Sequence, residues 1–178
     1  SELAALTLGH TCLFFIYITL TGFSLAVITN VSRAFGKDDT EALRINFRMG
    51  LWLVFAFSLF GLALVNKTSA FLTFLEQDEY IVEIVSEYIQ IVQWMMPFLL
   101  LTYVIKAFLI SVKKQQIVLF ISILGLITNF IFNYLFIFGN FGLPELGITG
   151  VACSSLLTSI CMMLSGPVSY THLTLPTM

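Results

Sequence analysis

Five long apolar runs divide the chain, and the connectors between them hold most of its charge. They cover roughly Cys12 to Val31, Met49 to Val65 with an extension toward Leu75, Tyr88 to Val112, Ile117 to Phe138, and Leu146 to Leu164. A helix needs about 20 apolar residues to cross a hydrocarbon core. Lipid-facing strands would instead be about ten residues long with alternating polarity. A backbone in lipid must also satisfy its own polar groups within the segment. The pattern therefore predicts an all-α, polytopic transmembrane helix bundle with five spans. The first run lacks the charged leader and A-x-A site of a signal peptide.

The connectors carry their own signals. Asp38-Asp39-Thr40-Glu41 has capping-box spacing and predicts a helical lead-in from Thr40 into the second span. Between Glu76 and Val92, Ile81, Ile84, Val85, Tyr88 and Val92 fall on one helical face, with Glu83, Glu87 and Gln90 on another. The third span thus begins as an amphipathic helix above the membrane. Gly139 to Gly147 is turn-rich and reads as a loop. No low-complexity linker separates the runs, so they form one bundle.

Composition sharpens this picture. The chain has 178 residues, 58% hydrophobic and 10% charged, with mean hydropathy +0.98. Soluble domains carry about 25% charged residues, so an ordinary soluble domain is excluded. Disorder, which needs low hydrophobicity and high charge, is excluded with it. A net charge of −2 argues against nucleic acid as a partner. Charge also sets orientation. Arg33, Lys37, Arg44, Arg48, Lys113 and Lys114 fall on one side of the five spans, and Lys67, Glu76, Asp78, Glu79, Glu83, Glu87 and Glu145 on the other. The positive-inside rule places the loops near 32–48 and 112–116 in the cytoplasm. Ser1 to Leu8 then lies at the outer face, and an odd number of spans with an outside start predicts at least one further helix upstream.

Polar residues within spans are the candidates for function. Asn129 and Asn133 are four apart in the fourth span and share a helical face. Two carboxamide oxygens on one face suit a hard cation such as Na⁺ or a hydrogen-bonded network; the alternative is interhelical glue. Lys106 reads as a snorkelling lysine near the cytoplasmic end of the third span. Pro97 predicts a kink in the same span. Gly147, Gly150, Ala152, Ser154 and Ser155 predict close packing or a polar lining in the fifth. Gln90 and Gln93 face either a cavity or the interface. Cys12, Cys153 and Cys161 form no CxxC and read as small apolar fillers. His10 stands alone, no metal-ligand spacing occurs, and no nucleophile has a base beside it, which disfavours an intramembrane enzyme.

The composition changes at Gly166-Pro167. From Val168 the chain reads VSYTHLTLPT, which one frame of a common transposase sequencing adapter also encodes. Residues 167–178 are accordingly expected to be a non-native, adapter-derived tail.

Four stretches resemble the multidrug and toxic compound extrusion (MATE) transporters. Val31-Ser32-Arg33-Ala34-Phe35-Gly36-Lys37-Asp38-Asp39 is similar to the family's "vaRalGagd" loop. The LITNFIFNYLFIFG segment within Ile117 to Gly139 is similar to its "NxxLdyllIfG" helix. Phe141 to Ala152 resembles "fglPeLGvaGaA". Glu76 to Glu79, Glu87-Tyr88 and Met96-Pro97-Phe98 resemble "dpev…eYl…lPf". The resemblance covers Glu2 to Ser165 in order. It implies twelve helices in two lobes, with residues 1–166 as helices two to six of the N-terminal lobe, the first helix and C-terminal lobe lying outside this sequence. It implies an antiporter of the plasma (bacterial inner) membrane. Such an antiporter exports cationic or amphipathic drugs or metabolites by alternating access, coupled to Na⁺ or H⁺, with no cofactor and with membrane lipid as its surroundings. Asn129 and Asn133 match a cation-binding network on the family's fifth helix, and Ser155 matches a Thr on its sixth. Some members carry Asp where Asn133 stands, so less charge is available here for proton coupling. A carboxylate of that network belongs to the first helix. The rival readings are a lipid-linked oligosaccharide flippase of the same superfamily and a non-transporting receptor or assembly subunit. A channel is disfavoured because no filter-like repeat is present.

Overall fold

The computed structural model describes residues 2–74, 79–139 and 145–174. Among them the backbone is helical, with no strand. The elements are α1 (Glu2–Thr21), α2 (Phe23–Gly36), α3 (Thr40–Val65), α4 (Thr68–Phe74), α5 (Glu79–Val92), α6 (Met95–Ser111), α7 (Gln115–Phe138) and α8 (Gly147–Thr174). Four stretches are long and apolar enough to cross a membrane: Leu13–Gly36, Thr40–Phe74, Gln115–Phe138 and Gly147–Gly166. The bent pair α5 and α6 makes a fifth. The five expected spans are therefore present. Glu76, Asp78 and the loop residues Phe141 to Pro144 lie outside the described residues.

Local chemistry explains most of the boundaries. The Asp39 side chain accepts a hydrogen bond from the Ala42 backbone N–H at 2.9 Å and caps α3. The reciprocal half of the expected capping box is absent. Thr40 begins the helix, so Glu41 falls one position short of the third turn position that a box requires. The Asp39 N–H donates instead to the Ala34 carbonyl at 3.1 Å, which ties the end of α2 to the start of α3. Helix α7 stops at Gly139, whose left-handed φ of 64° a glycine adopts without a Cβ penalty. Helix α8 continues without a break past Gly166 to Thr174, although its apolar stretch ends at Gly166.

The third span bends by 48° between α5 and α6. The break falls at Gln93 and Trp94, and Gln93 is the residue four before Pro97. A proline ring clashes with that carbonyl and offers no N–H to it. The Gln93 carbonyl accepts a shorter-range bond from the Met96 N–H at 3.1 Å instead. The bend thus lies one turn upstream of Pro97, at the carbonyl that the proline leaves without an N–H. Pro97→Ala is expected to straighten the pair. From the 1.5 Å rise per residue, spin labels at exposed Glu83 and Ile110 should move apart by about 3 Å; an unchanged distance would assign the bend to packing alone.

Packing draws the helices together along narrow stripes. The buried face of α3 is Gly50, Val54, Ser58, Gly61 and Val65. A Cβ on Gly61 would stand 2.7 Å from Leu20 of α1, and one on Gly50 would stand 3.1 Å from Val104 and 3.3 Å from Val27. The central cluster gathers Leu20, Val54, Val65, Val85, Val92, Met96, Leu100 and Ala152, from five of the helices. A second cluster joins Val27 and Val31 of α2 to Ala107 of α6, with Leu43, Phe108 and Val112 packed against it. That cluster puts the basic connector after α2 and the Lys113-Lys114 turn at the same end of the bundle. Around this core, Phe15, Leu25, Trp52, Phe55, Leu126 and Phe130 are exposed. An apolar perimeter of that kind is a lipid-facing surface.

Candidate functional site

The α7–α8 pair makes the most extensive helix–helix contact in the bundle, and small residues make it possible. A Cβ on Gly150 would lie 2.7 Å from the Phe136 carbonyl oxygen, and one on Gly125 would lie 2.5 Å from the Met162 sulfur. These two approaches fix the antiparallel register. They set Asn133 at the level of Cys153 and Ser154, and Asn129 at the level of Leu157 and Thr158.

At that depth the two predicted amides meet. The Asn133 Nδ2 donates to Asn129 Oδ1 at 3.0 Å. The bond runs along one helix, and among the described residues neither amide is bonded to another helix. Asn133 Oδ1 is buried and has no hydrogen-bond partner. An unmatched buried carbonyl oxygen costs about 1–3 kcal/mol, and such groups call for an explanation such as an ion or a ligand. Thr128 is turned back on its own helix, bonding the Leu124 and Gly125 carbonyls at 2.8 and 3.1 Å.

Helix α8 contributes a polar strip at the same levels. Ser154 is fully buried and donates to the Gly150 carbonyl at 2.7 Å. Thr158 is buried, and its Oγ1 has no partner. Ser155 is partly buried. Thr158 is a buried hydroxyl that sequence reading did not single out. Its spacing of four from Ser154, the interval that aligns Asn129 with Asn133, was the available signal.

Other polar groups lie elsewhere. Gln93 Oε1 is buried without a partner at the α5–α6 break, while Gln90 is exposed. Cys153 and Cys161 are free and partly buried. Lys106 donates to Ser122 Oγ at 3.1 Å across the α6–α7 pair. Among the described residues no three His, Cys, Asp or Glu side chains gather as a metal site.

Residues 1–135 match the family model described as MatE. The chain is 30% identical over 158 residues to a probable multidrug resistance protein NorM of Agrobacterium fabrum, covering 89% of this chain and 34% of that protein. It is 33% identical over 156 residues to a protein of the same description from Rhizobium meliloti, covering 88% and 33%. A Pseudomonas aeruginosa protein so described is 32% identical over 163 residues, covering 91% and 33%. The chain thus spans about a third of the length of the curated relatives it matches.

Proposed function

The chain belongs to the MatE family, and from that premise we propose that it forms part of the N-terminal lobe of a secondary active antiporter. The transported compounds are cationic or amphipathic small molecules, exported in exchange for Na⁺ or H⁺. The observation that carries this reading is the buried, unpartnered Asn133 Oδ1 held beside Asn129 Oδ1. Each carboxamide oxygen has two lone pairs. Asn129 Oδ1 therefore keeps one for a cation after accepting the Asn133 bond. Hard cations take oxygen ligands of this type.

Neither amide titrates, so these residues favour an ion held by lone pairs. Proton coupling would need a titratable group, which neither amide supplies. Binding the ion on one side of the membrane and releasing it on the other requires alternating access, which repeat-built transporters achieve by rocking one lobe against the other. On the same reading the bundle sits in the plasma (bacterial inner) membrane with its basic end in the cytoplasm. Residues 167–178 then form no part of the lobe, their sequence being adapter-derived.

The test is transport by the complete gene product in proteoliposomes loaded with a cationic dye such as ethidium. An imposed Na⁺ gradient or pH gradient should drive dye across the membrane, and collapsing that gradient should stop it. Dye movement indifferent to both gradients would overturn the reading.

A further inference from the structure

A cleft of about 320 Å³ opens between α5 and the start of α8. It lies at the end of the bundle opposite the basic connectors, because α7 leaves the Lys113-Lys114 turn and α8 begins at the far end of α7. Ile84 of α5 and Ile148 of α8 give it apolar walls. Glu87 of α5 and Glu145, just before α8, line it as well. No lysine, arginine or histidine does.

Two surface carboxylates are ordinary by themselves, and Tyr88 is what sets this cleft apart. Tyr88 is 4% exposed and lines the same cleft, so the little of it that stays accessible opens there. Among the described residues its hydroxyl makes no hydrogen bond. Buried polar groups are nearly always bonded, and one that is not calls for a ligand or a comparable explanation.

Charge and size indicate which ligand. Glu87 and Glu145 bring two negative charges, whereas the N-terminus of α8 amounts to about half a positive charge. The carboxylates prevail, so the cleft favours a cation. A calcium ion takes about six to eight oxygens, more than the two carboxylates and the hydroxyls of Tyr88 and Thr149 supply between aliphatic walls. A primary ammonium has three N–H donors, which match Glu87, Glu145 and the Tyr88 oxygen. The volume also falls near the lower end of small-molecule sites, about 300–1,000 Å³.

We propose that this cleft binds a small organic amine, its ammonium on Glu87, Glu145 and the Tyr88 hydroxyl and its apolar body against Ile84 and Ile148. The site is separate from the amide pair on α7. As a place that holds an exported amine at the end of its path it rests on the export reading, while the binding itself does not.

The test is isothermal titration calorimetry of the complete gene product in detergent, at neutral pH and constant ionic strength, with benzylammonium and with its neutral isostere benzyl alcohol. Benzylammonium should bind and benzyl alcohol should not. Glu87→Gln and Glu145→Gln should each weaken binding about fourfold, toward the upper range for an exposed charge pair, and the double variant about tenfold or more. Tyr88→Phe keeps the ring in the core and removes only the oxygen, so it should weaken binding about threefold. Glu83→Gln, one turn from Glu87 and outside the cleft, should bind as wild type does. Equal binding of the two probes, wild-type affinity in the double variant, or equal weakening by Glu83→Gln would overturn the proposal. Displacement by millimolar Mg²⁺ would do so too, by assigning the carboxylates to a metal ion. Thermal unfolding of each variant separates lost binding from lost fold. Dye movement indifferent to both gradients would defeat the export reading and leave these heats unchanged, so the two failures are told apart.

Discussion

Asn133→Ala in the complete gene product is expected to reduce ion-coupled efflux at least tenfold at limiting ion concentration, with membrane levels unchanged. The substitution removes the buried Oδ1 that has no protein partner. It also removes the donor that orients Asn129 Oδ1 at 3.0 Å. A hydrogen bond or ligand contact to a charged group contributes about 1.5–3 kcal/mol, and each 1.4 kcal/mol is about tenfold in affinity. The loss should therefore appear as a raised half-saturating ion concentration, with the maximal rate recovered at high ion. Asn129→Ala should act in the same direction and more weakly, because Asn133 Oδ1 survives it. Asn133→Asp keeps an oxygen in place and adds a titratable group, so it should retain coupling and make the ion dependence vary with pH through the titration of the new carboxylate. If both alanine variants transport with an unchanged ion dependence, the pair has no role in coupling.

Gly150→Val is expected to give the largest loss of stability of any single substitution considered. Its Cβ would meet the Phe136 carbonyl oxygen at 2.7 Å, the carbonyl carbon at 2.8 Å and the Ile137 nitrogen at 3.2 Å. All three are backbone atoms, so no rotamer change relieves the contact and α8 must move away from α7. Overpacking of this kind costs about 1–3 kcal/mol, occasionally more, and the backbone clash puts Gly150→Val at or above the upper end. Gly125→Ala is the internal control. Its new methyl would meet the side chain of Met162 at 2.5 Å, and a flexible thioether can swing aside, so its cost should be clearly smaller. Thermal unfolding in detergent measures both. Equal midpoints for Gly150→Val and wild type would mean that the close approach of α7 and α8 does not hold the bundle together.

The candidate site was half legible in the sequence. A spacing of four was enough to place Asn129 and Asn133 on one face, because helix geometry alone fixes that relation. The same argument reached Pro97, since a proline acts on the carbonyl four residues before it. It did not reach the deeper burial of Thr158 than of Ser155. Which of two nearby hydroxyls is buried depends on how α8 is turned against α7, and that rotation is set by Gly150 and Gly125 rather than by anything local to either hydroxyl. Lys106 shows the same limit. Its position near a helix end suggested a side chain reaching for the interface, and only the packing of α6 on α7 brings Ser122 within its reach.

By itself, the sequence determined the helical state, the five membrane-crossing stretches, the start of α3 at Thr40 and, through its motifs, the family to which the chain belongs. The first three follow from local chemistry or from the absence of water in a bilayer, where a long apolar run has no alternative to a helix. Only the tertiary structure decided which apolar face of each helix turns inward. Ile121 is fully buried and Leu126 is 73% exposed, on one helix and with similar side chains. In water the periodicity of polar residues would have told them apart. In lipid both environments are equally apolar, so the inward face is chosen by where glycines allow close contact and where polar atoms find partners.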